Sequence, residues 1–240
     1  MSRKIIDLSV VCSNKTKGVK IKLQRRLPVY LGQTCYAYDL EIKSHTRTYF
    51  ETSAHVFRKG KNTDEVSLEK LILPGRCVRV KDKEKCITAE KLNSLCPDLK
   101  PNCALLVDTG RDFRKYFSRD AARWMAKRKV ALMGSNLPRY DTGFVNPVRK
   151  QISLTVLRKG GTEPPFASQD LPPTKSVVFP NGVNPTGFFI DLFKAEIPII
   201  ANITNLDKLS ESGFTLVVMP LKIAGVCTCP ARVIAIVENK

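Results

Sequence analysis

Apolar and polar side chains alternate from Val19 to Gln24 (Val-Lys-Ile-Lys-Leu-Gln), the period of a strand with one face in water. Ala104-Leu-Leu-Val107 and Phe214-Thr-Leu-Val-Val-Met219 are short, nearly unbroken apolar runs, which suit strands covered on both faces. Helical spacing is rarer. Ser118 is placed to cap a helix running to Lys129, with Ala121, Trp124, Met125 and Arg128 on one side. Asn184-Pro185 predicts the opening of another through Ala195, because the Asn side chain can cap and Pro presets φ at the first helical position. Shorter helices are predicted over Thr88 to Leu95 and Asn205 to Ser210. From Pro138 to Pro185 the chain is rich in Pro and Gly, with Gly160-Gly161, Pro164-Pro165 and Pro172-Pro173. This predicts long loops around one strand, Ile152 to Leu157, of the kind that rim an active site or meet a second subunit. No internal repeat interrupts the pattern, which as a whole predicts a sheet-rich α/β fold with a few helices.

The chain has 240 residues, a length compatible with one hydrophobic core, and no linker-like stretch divides it, so a single domain over 1–240 is expected. No run of 18 apolar residues could span a bilayer, and Met1-Ser-Arg-Lys-Ile-Ile-Asp has no apolar signal region. A cytoplasmic protein without a membrane association is the expectation. Its eight cysteines (12, 35, 77, 86, 96, 103, 227 and 229) are scattered among apolar segments, as Cys103 is, and read as reduced, small core residues. Cys227-Thr-Cys229 is the one close pair, and it lacks the C-x-x-C spacing of zinc and redox motifs.

A formal net charge of +18 changes the picture at the surface. Arg111 to Lys129 holds eight basic residues against two acids, and Lys15 to Arg26 six against none. One explanation is a solvated surface, with the basic residues at 119, 123 and 127 along one exposed helical stripe. Another is attraction of polyanions or small acidic substrates. No aromatic RNA-binding motif, zinc finger or helix-turn-helix accompanies the charge, so nucleic acid is not an expected partner.

Both histidines fall in the window His45-Thr-Arg-Thr-Tyr-Phe-Glu-Thr-Ser-Ala-His55. It resembles the H-x-G-T-H-x-D-x-P-x-H signature of the cyclase superfamily, which includes the bacterial kynurenine formamidases and isatin hydrolases. His45, Thr48 and His55 match, whereas Arg47, Tyr49, Glu51 and Ser53 stand at the family's Gly, His, Asp and Pro. Further segments follow the family in order: Ile6-Asp7-Leu8-Ser9, Leu106-Val107-Asp108-Thr109-Gly110, Ile197 to Leu206, Pro220-Leu221-Lys222-Ile223, and Pro230-Ala-Arg232-Val-Ile-Ala235.

The resemblance implies the swivelling β/β/α fold of that family and its chemistry, in which metal-activated water attacks an amide or lactam carbonyl while the last His moves protons. It also implies two further ligands, a His and a Glu, at the positions of Phe189 and Ala201. Neither side chain can bind a metal, and a divalent site needs about three to four converging donors. No metal and no other cofactor is therefore expected. Without a metal, water keeps its bulk pKa near 15.7 instead of about 7. General acid-base work contributes about 10² to 10⁴-fold, too little for amide hydrolysis and enough for an easier elimination, dehydration, isomerisation or ring closure.

Three readings follow. In the first, the chain is a metal-independent enzyme in which His55 is the general acid/base, His45 and Glu51 orient it, and Arg47, Thr48, Tyr49 and Phe189 contact a small, anionic substrate. In the second it is a noncatalytic relative that binds a ligand or partner. A metal-dependent amide or lactam hydrolase is the third. Arg47 either turns its guanidinium inward, as a charge in place of the lost metal, or outward as a surface cation. The family's pairing of subunits around active sites implies a homodimer or homotetramer, with 138–185 as the contact region.

Overall fold

The computed structural model describes residues 3–25, 36–57, 59–140 and 187–238. Its strands are β1 (Arg3–Asp7), β2 (Val19–Arg25), β3 (Tyr36–Ile42), β4 (Tyr49–Glu51), β5 (Ile72–Arg79), β6 (Cys86–Ile87), β7 (Ala104–Asp108), β8 (Tyr116–Phe117), β9 (Leu132–Ser135), β10 (Ile199–Ala201), β11 (Phe214–Pro220) and β12 (Thr228–Glu238). Three helices join them: α1 (Ala89–Leu95), α2 (Arg119–Lys127) and α3 (Phe188–Lys194).

Eight strands form one sheet in the order β1-β12-β11-β5-β7-β9-β10-β4, and β4 pairs again with β12. The second pairing closes seven of them into a barrel. It is possible because β12 is long: its first residues lie beside β4, and its end, from Ile234 to Glu238, lies beside β1. The β5, β7, β9 and β10 pairings are parallel, and the remainder of the ring is antiparallel.

Two cores follow from the strand period. Ala104 and Leu106 point into the barrel with Leu73, Leu132, Ile200, Leu216 and Val233. Leu105 and Val107 point outward, under the helices, with Met133, Ile199, Leu92, Met125 and Leu192. A strand buried on both faces reads as a continuous apolar run, which is why Ala104 to Val107 does not alternate. Gly75 on β5 lies against Phe214 of β11, and a Cβ there would overlap the Phe214 ring.

Two helices open on side-chain caps, that of Ser118 as expected. Thr88 Oγ1 accepts from Lys91 N at 3.2 Å and Ser118 Oγ from Ala121 N at 3.3 Å. Ala121, Ala122 and Met125 form the buried side of α2. Asn205 to Ser210, expected as a short helix, holds only a 3-10 turn at Leu206–Lys208, entered through Asn205 at φ 56°. The expected helix opening at Asn184-Pro185 and the strand from Ile152 to Leu157 lie outside the described residues; α3 is seen from Phe188.

The basic stripe on α2 needs correction. Arg119 and Arg123 both reach Asp191 of α3, at 2.8 and 2.6 Å, and tie the two helices together. Arg128 lies over the Trp124 ring at 5.5 Å. Lys115 is buried and donates to the Asp82 carbonyl at 2.8 Å. Much of the charge run from 111 to 129 therefore has structural partners. Among the described residues no helix is long and apolar enough to cross a membrane.

Candidate active site

Strand β4 is three residues long and carries the site. Phe50 points into the barrel, fully buried, which anchors the strand by roughly 1.5–3 kcal/mol of apolar burial. The period of two then puts Tyr49 and Glu51 on the opposite face. A 3-10 turn at Ser53–His55 follows directly, with His55 N donating to Thr52 O at 3.0 Å, and it folds His55 back over Glu51 four residues earlier.

Glu51 is the centre of the cluster. Its side chain is 3% exposed, and Oε1 lies 3.0 Å from His55 Nε2 and 3.3 Å from His45 Nε2. The two imidazoles, 38% and 47% exposed for His55 and His45, meet edge to face with ring centroids 5.2 Å apart. Burial opposes ionisation of Glu51, but the hydrogen bonds and charges of the two histidines outweigh it and hold the carboxyl below its ordinary range. Burial likewise disfavours the His55 cation, yet hydrogen bonds to Cys227 and Glu51, with the Glu51 charge, raise its pKa to about 10.

The Cys227 bond was not foreseen. Thr228, the first residue of β12, pairs with Glu51, so the residue before it falls beside the turn that carries His55. Thr52 holds the Cys227 carbonyl through both N (2.9 Å) and Oγ1 (3.1 Å). Cys227 Sγ lies 3.7 Å from His55 Nδ1, and Thr228 Oγ1 donates to the same sulfur at 3.6 Å. The two ring nitrogens of His55 therefore face different partners, sulfur on one side and carboxylate on the other. The reduced-core reading of the cysteines suits Cys77, Cys96, Cys103 and Cys229, which are buried, and is corrected for Cys227, which is half-buried at the site. No local signal marks it, because His55 is 172 positions away.

The structure brings His45, Glu51 and His55 together, while the expected substrate contacts fare differently. Thr48 is buried; its hydroxyl donates to Asn202 O and accepts from Val10 N, both at 2.9 Å, so it ties three segments instead of facing a ligand. Tyr49 is also buried, with its hydroxyl on Pro138 O and its ring edge-on to His45. Arg47 turns outward: it is exposed, and Nε and Nη2 both donate to Thr16 Oγ1 at 3.3 Å. Its φ of 55° lies in the left-handed region that favours glycine, the residue the related signature has there. Phe189 stacks on Phe193 and meets Phe188 and Tyr140 in an aromatic cluster.

The donor set can be tested against the metal centre that the resemblance implies. Ala201 pairs with Tyr49 across β10 and β4, so two of the expected ligand positions are adjacent, and neither offers a donor. The Tyr49 phenol is held well above its usual range by burial and by the Glu51 charge, which keeps it protonated. Phe189 supplies none. His45, Glu51 and His55, whose nearest ligand atoms lie within 4.8 Å of one another, are the described residues that could touch a single ion. Both imidazoles already engage one carboxylate oxygen, and His55 turns its other nitrogen to Cys227. This set does not fit a paired-metal centre.

The Cyclase family model matches residues 6–142, more than half of the chain. No curated protein sequence matches it. Among solved structures, isatin hydrolase A from Labrenzia aggregata bound to benzyl benzoate is similar with a TM-score of 0.69 at 16% identity, over 99% of this chain and 94% of that one. An isatin hydrolase bound to the product analogue thioisatinate gives 0.68 at 17% identity, over 99% and 93%. A potential metal-dependent hydrolase with cyclase activity gives 0.66 at 17% identity, over the full length of both chains. At such identities these likenesses speak for the fold, and the closed sheet with its few helices is the α/β fold they share. On the family match, the chain belongs to the Cyclase family.

Proposed function

We propose that this protein is a small-molecule enzyme of the Cyclase family that works on a carbonyl substrate by proton transfer at His55, without the metal dependence that the names of some similar structures state. The observation that carries the reading is the buried Glu51 carboxylate on His55 Nε2, which fixes the ring and stabilises its cation while Nδ1 stays directed at a second group. His45 shares the same carboxylate oxygen and positions it from the other side. The outward course of Arg47 favours a substrate recognised by shape and hydrogen bonding over one that needs a strong anion receptor. The isatin hydrolase neighbours support a small carbonyl compound as the substrate.

Isatin and N-formyl anilines are the first probes. His55→Ala should lower turnover about 10²-fold or more with the fold intact by circular dichroism. Equal turnover in the variant and the wild type would remove His55 from the mechanism and favour a noncatalytic binding protein. Elemental analysis should find well under about one equivalent of zinc, manganese or iron per chain, given too few donors for a paired centre. About two equivalents, lost on chelation together with activity, would overturn the metal-free reading.

The same proposal takes the chain as a homodimer or homotetramer. Most of the contact region expected at 138–185 lies outside the described residues; on the described surface, the β2–β3 hairpin supports self-association. Its register sets Leu23 opposite Tyr38 and Ile21 opposite Leu40, so one face is apolar, and Leu23, Tyr38 and Leu40 are exposed.

A further inference from the structure

We infer that Cys227 is the nucleophile of a Cys227–His55–Glu51 triad, which opens an amide, lactam or ester carbonyl through a thioester on the enzyme. The inference rests on the proton-transfer reading of His55 and adds what that reading lacks. General acid-base catalysis alone leaves hydrolysis dependent on bulk water, whose pKa near 15.7 makes it a poor nucleophile at neutral pH. A thiolate is intrinsically strong, and it needs only a base at its sulfur and a group to orient that base.

Each part has a geometric counterpart. The nucleophile and base are Cys227 Sγ and His55 Nδ1, 3.7 Å apart, and the orienting group is Glu51 on the opposite ring nitrogen at 3.0 Å. Thr228 Oγ1, donating at 3.6 Å, gives the sulfur a second hydrogen-bond donor. Two bonds to the Cys227 carbonyl from Thr52, the residue after Glu51, hold it in place. The thiol is half-buried beside a part-exposed imidazole, which leaves it open to a small substrate.

The other cysteines provide the contrast. Burial pushes Cys77 up to about 12 and Cys96 to about 11, and it also raises Cys86, Cys103 and Cys229. Cys227 is lowered, first by its bond from His55, against the effect of burial. This is the electropositive, partly exposed setting in which thiols react, whereas the apolar setting of the others keeps them inert.

In the first half-reaction the thiolate form of Cys227, paired with the His55 imidazolium, attacks the carbonyl carbon, forming the S–C bond while the C=O π pair goes to oxygen. Collapse of that intermediate breaks the bond to the amine or alcohol, which takes a proton from His55, and leaves a thioester; from a lactam the amine stays tethered to the acyl group. In the second half-reaction His55 removes a proton from water, the hydroxide adds to the thioester, and the thiolate leaves. One water is consumed, and an acid and an amine or alcohol are formed. No oxidant or further reactant is needed.

The test uses the full chain after chelator treatment, with p-nitrophenyl acetate as the probe and acid quenching before peptide mapping by mass spectrometry. The expected result is a burst of p-nitrophenol of about one equivalent per chain, with acetyl on Cys227. Cys227→Ala should abolish the burst with the fold intact, His55→Gln should slow it about 10²-fold, and Cys12→Ala should leave it unchanged. A quenched protein with Cys227 unmodified, or acetylated only on lysines, overturns the triad. Isatin and N-formyl anilines then separate the two readings. Loss of their turnover in His55→Ala but not in Cys227→Ala overturns the nucleophile and leaves proton transfer standing, whereas full turnover in both variants overturns both.

Discussion

Glu51 ties two imidazoles together, and a buried carboxylate left without such partners would carry uncompensated charge. His55 should show this as pH-dependent stability. Its folded pKa, raised to about 10, lies above the unfolded value of about 6.5, so its contribution is fully present below pH ~6.5 and is lost as pH rises towards 10. Glu51 has the opposite sign: its depressed pKa contributes stability above the unfolded value of about 4.3, lost as pH falls through the folded one. The Tm difference between wild type and His55→Gln should thus be greatest near pH 6 and shrink steadily towards pH 10. A difference that widens over that range would contradict the His55–Glu51 pairing. At this scale the eleven-residue histidine window made much of the site legible, since His45, Glu51 and His55 are joined by one short strand and one turn. Thr48 was not legible, because its partners, Val10 and Asn202, come from elsewhere in the chain.

Local elements followed their sequence signals where the forces are local. Thr88 and Ser118 cap the helices after them because a cap needs only a side-chain oxygen and an amide three residues on. The basic residues of α2 misled, since helical spacing shows which of them share a face and says nothing of an acid on another helix; Asp191 of α3 takes Arg119 and Arg123. Between strands, β5 and β11 approach at Gly75 so closely that Phe214 occupies the space of a side chain. Gly75→Ala should therefore cost roughly 1–3 kcal/mol, read as a lower urea midpoint at an unchanged slope. An unaltered midpoint would mean that the Phe214 ring moves aside freely.

Among the described residues the main sheet is a barrel that β12 closes, and closure brings Cys227 to His55. The molecular surface is strongly basic, with a formal net charge of +18, and the β2–β3 hairpin adds an apolar face. Light scattering at micromolar concentration should find a dimer or tetramer, and Tyr38→Glu, which puts a charge on that face, should shift the population towards monomer. A monomeric wild type would contradict the proposed assembly. An assembly unaffected by Tyr38→Glu would move the contact away from the hairpin.

Sequence by itself determined the family, the apolar runs that become strands buried on both faces, the helix caps and the joining of both histidines with Glu51. Each of these depends on residues close along the chain or on an ordered set of short motifs. Only tertiary structure decided that Tyr49 and Thr48 are buried ties, that Arg47 turns to Thr16, and that Cys227, one of eight cysteines in the chain, stands beside His55. Those outcomes depend on strand register and on closure of the sheet. Alternation along a strand specifies which residues share a face, but it carries no record of which distant strand lies beside them.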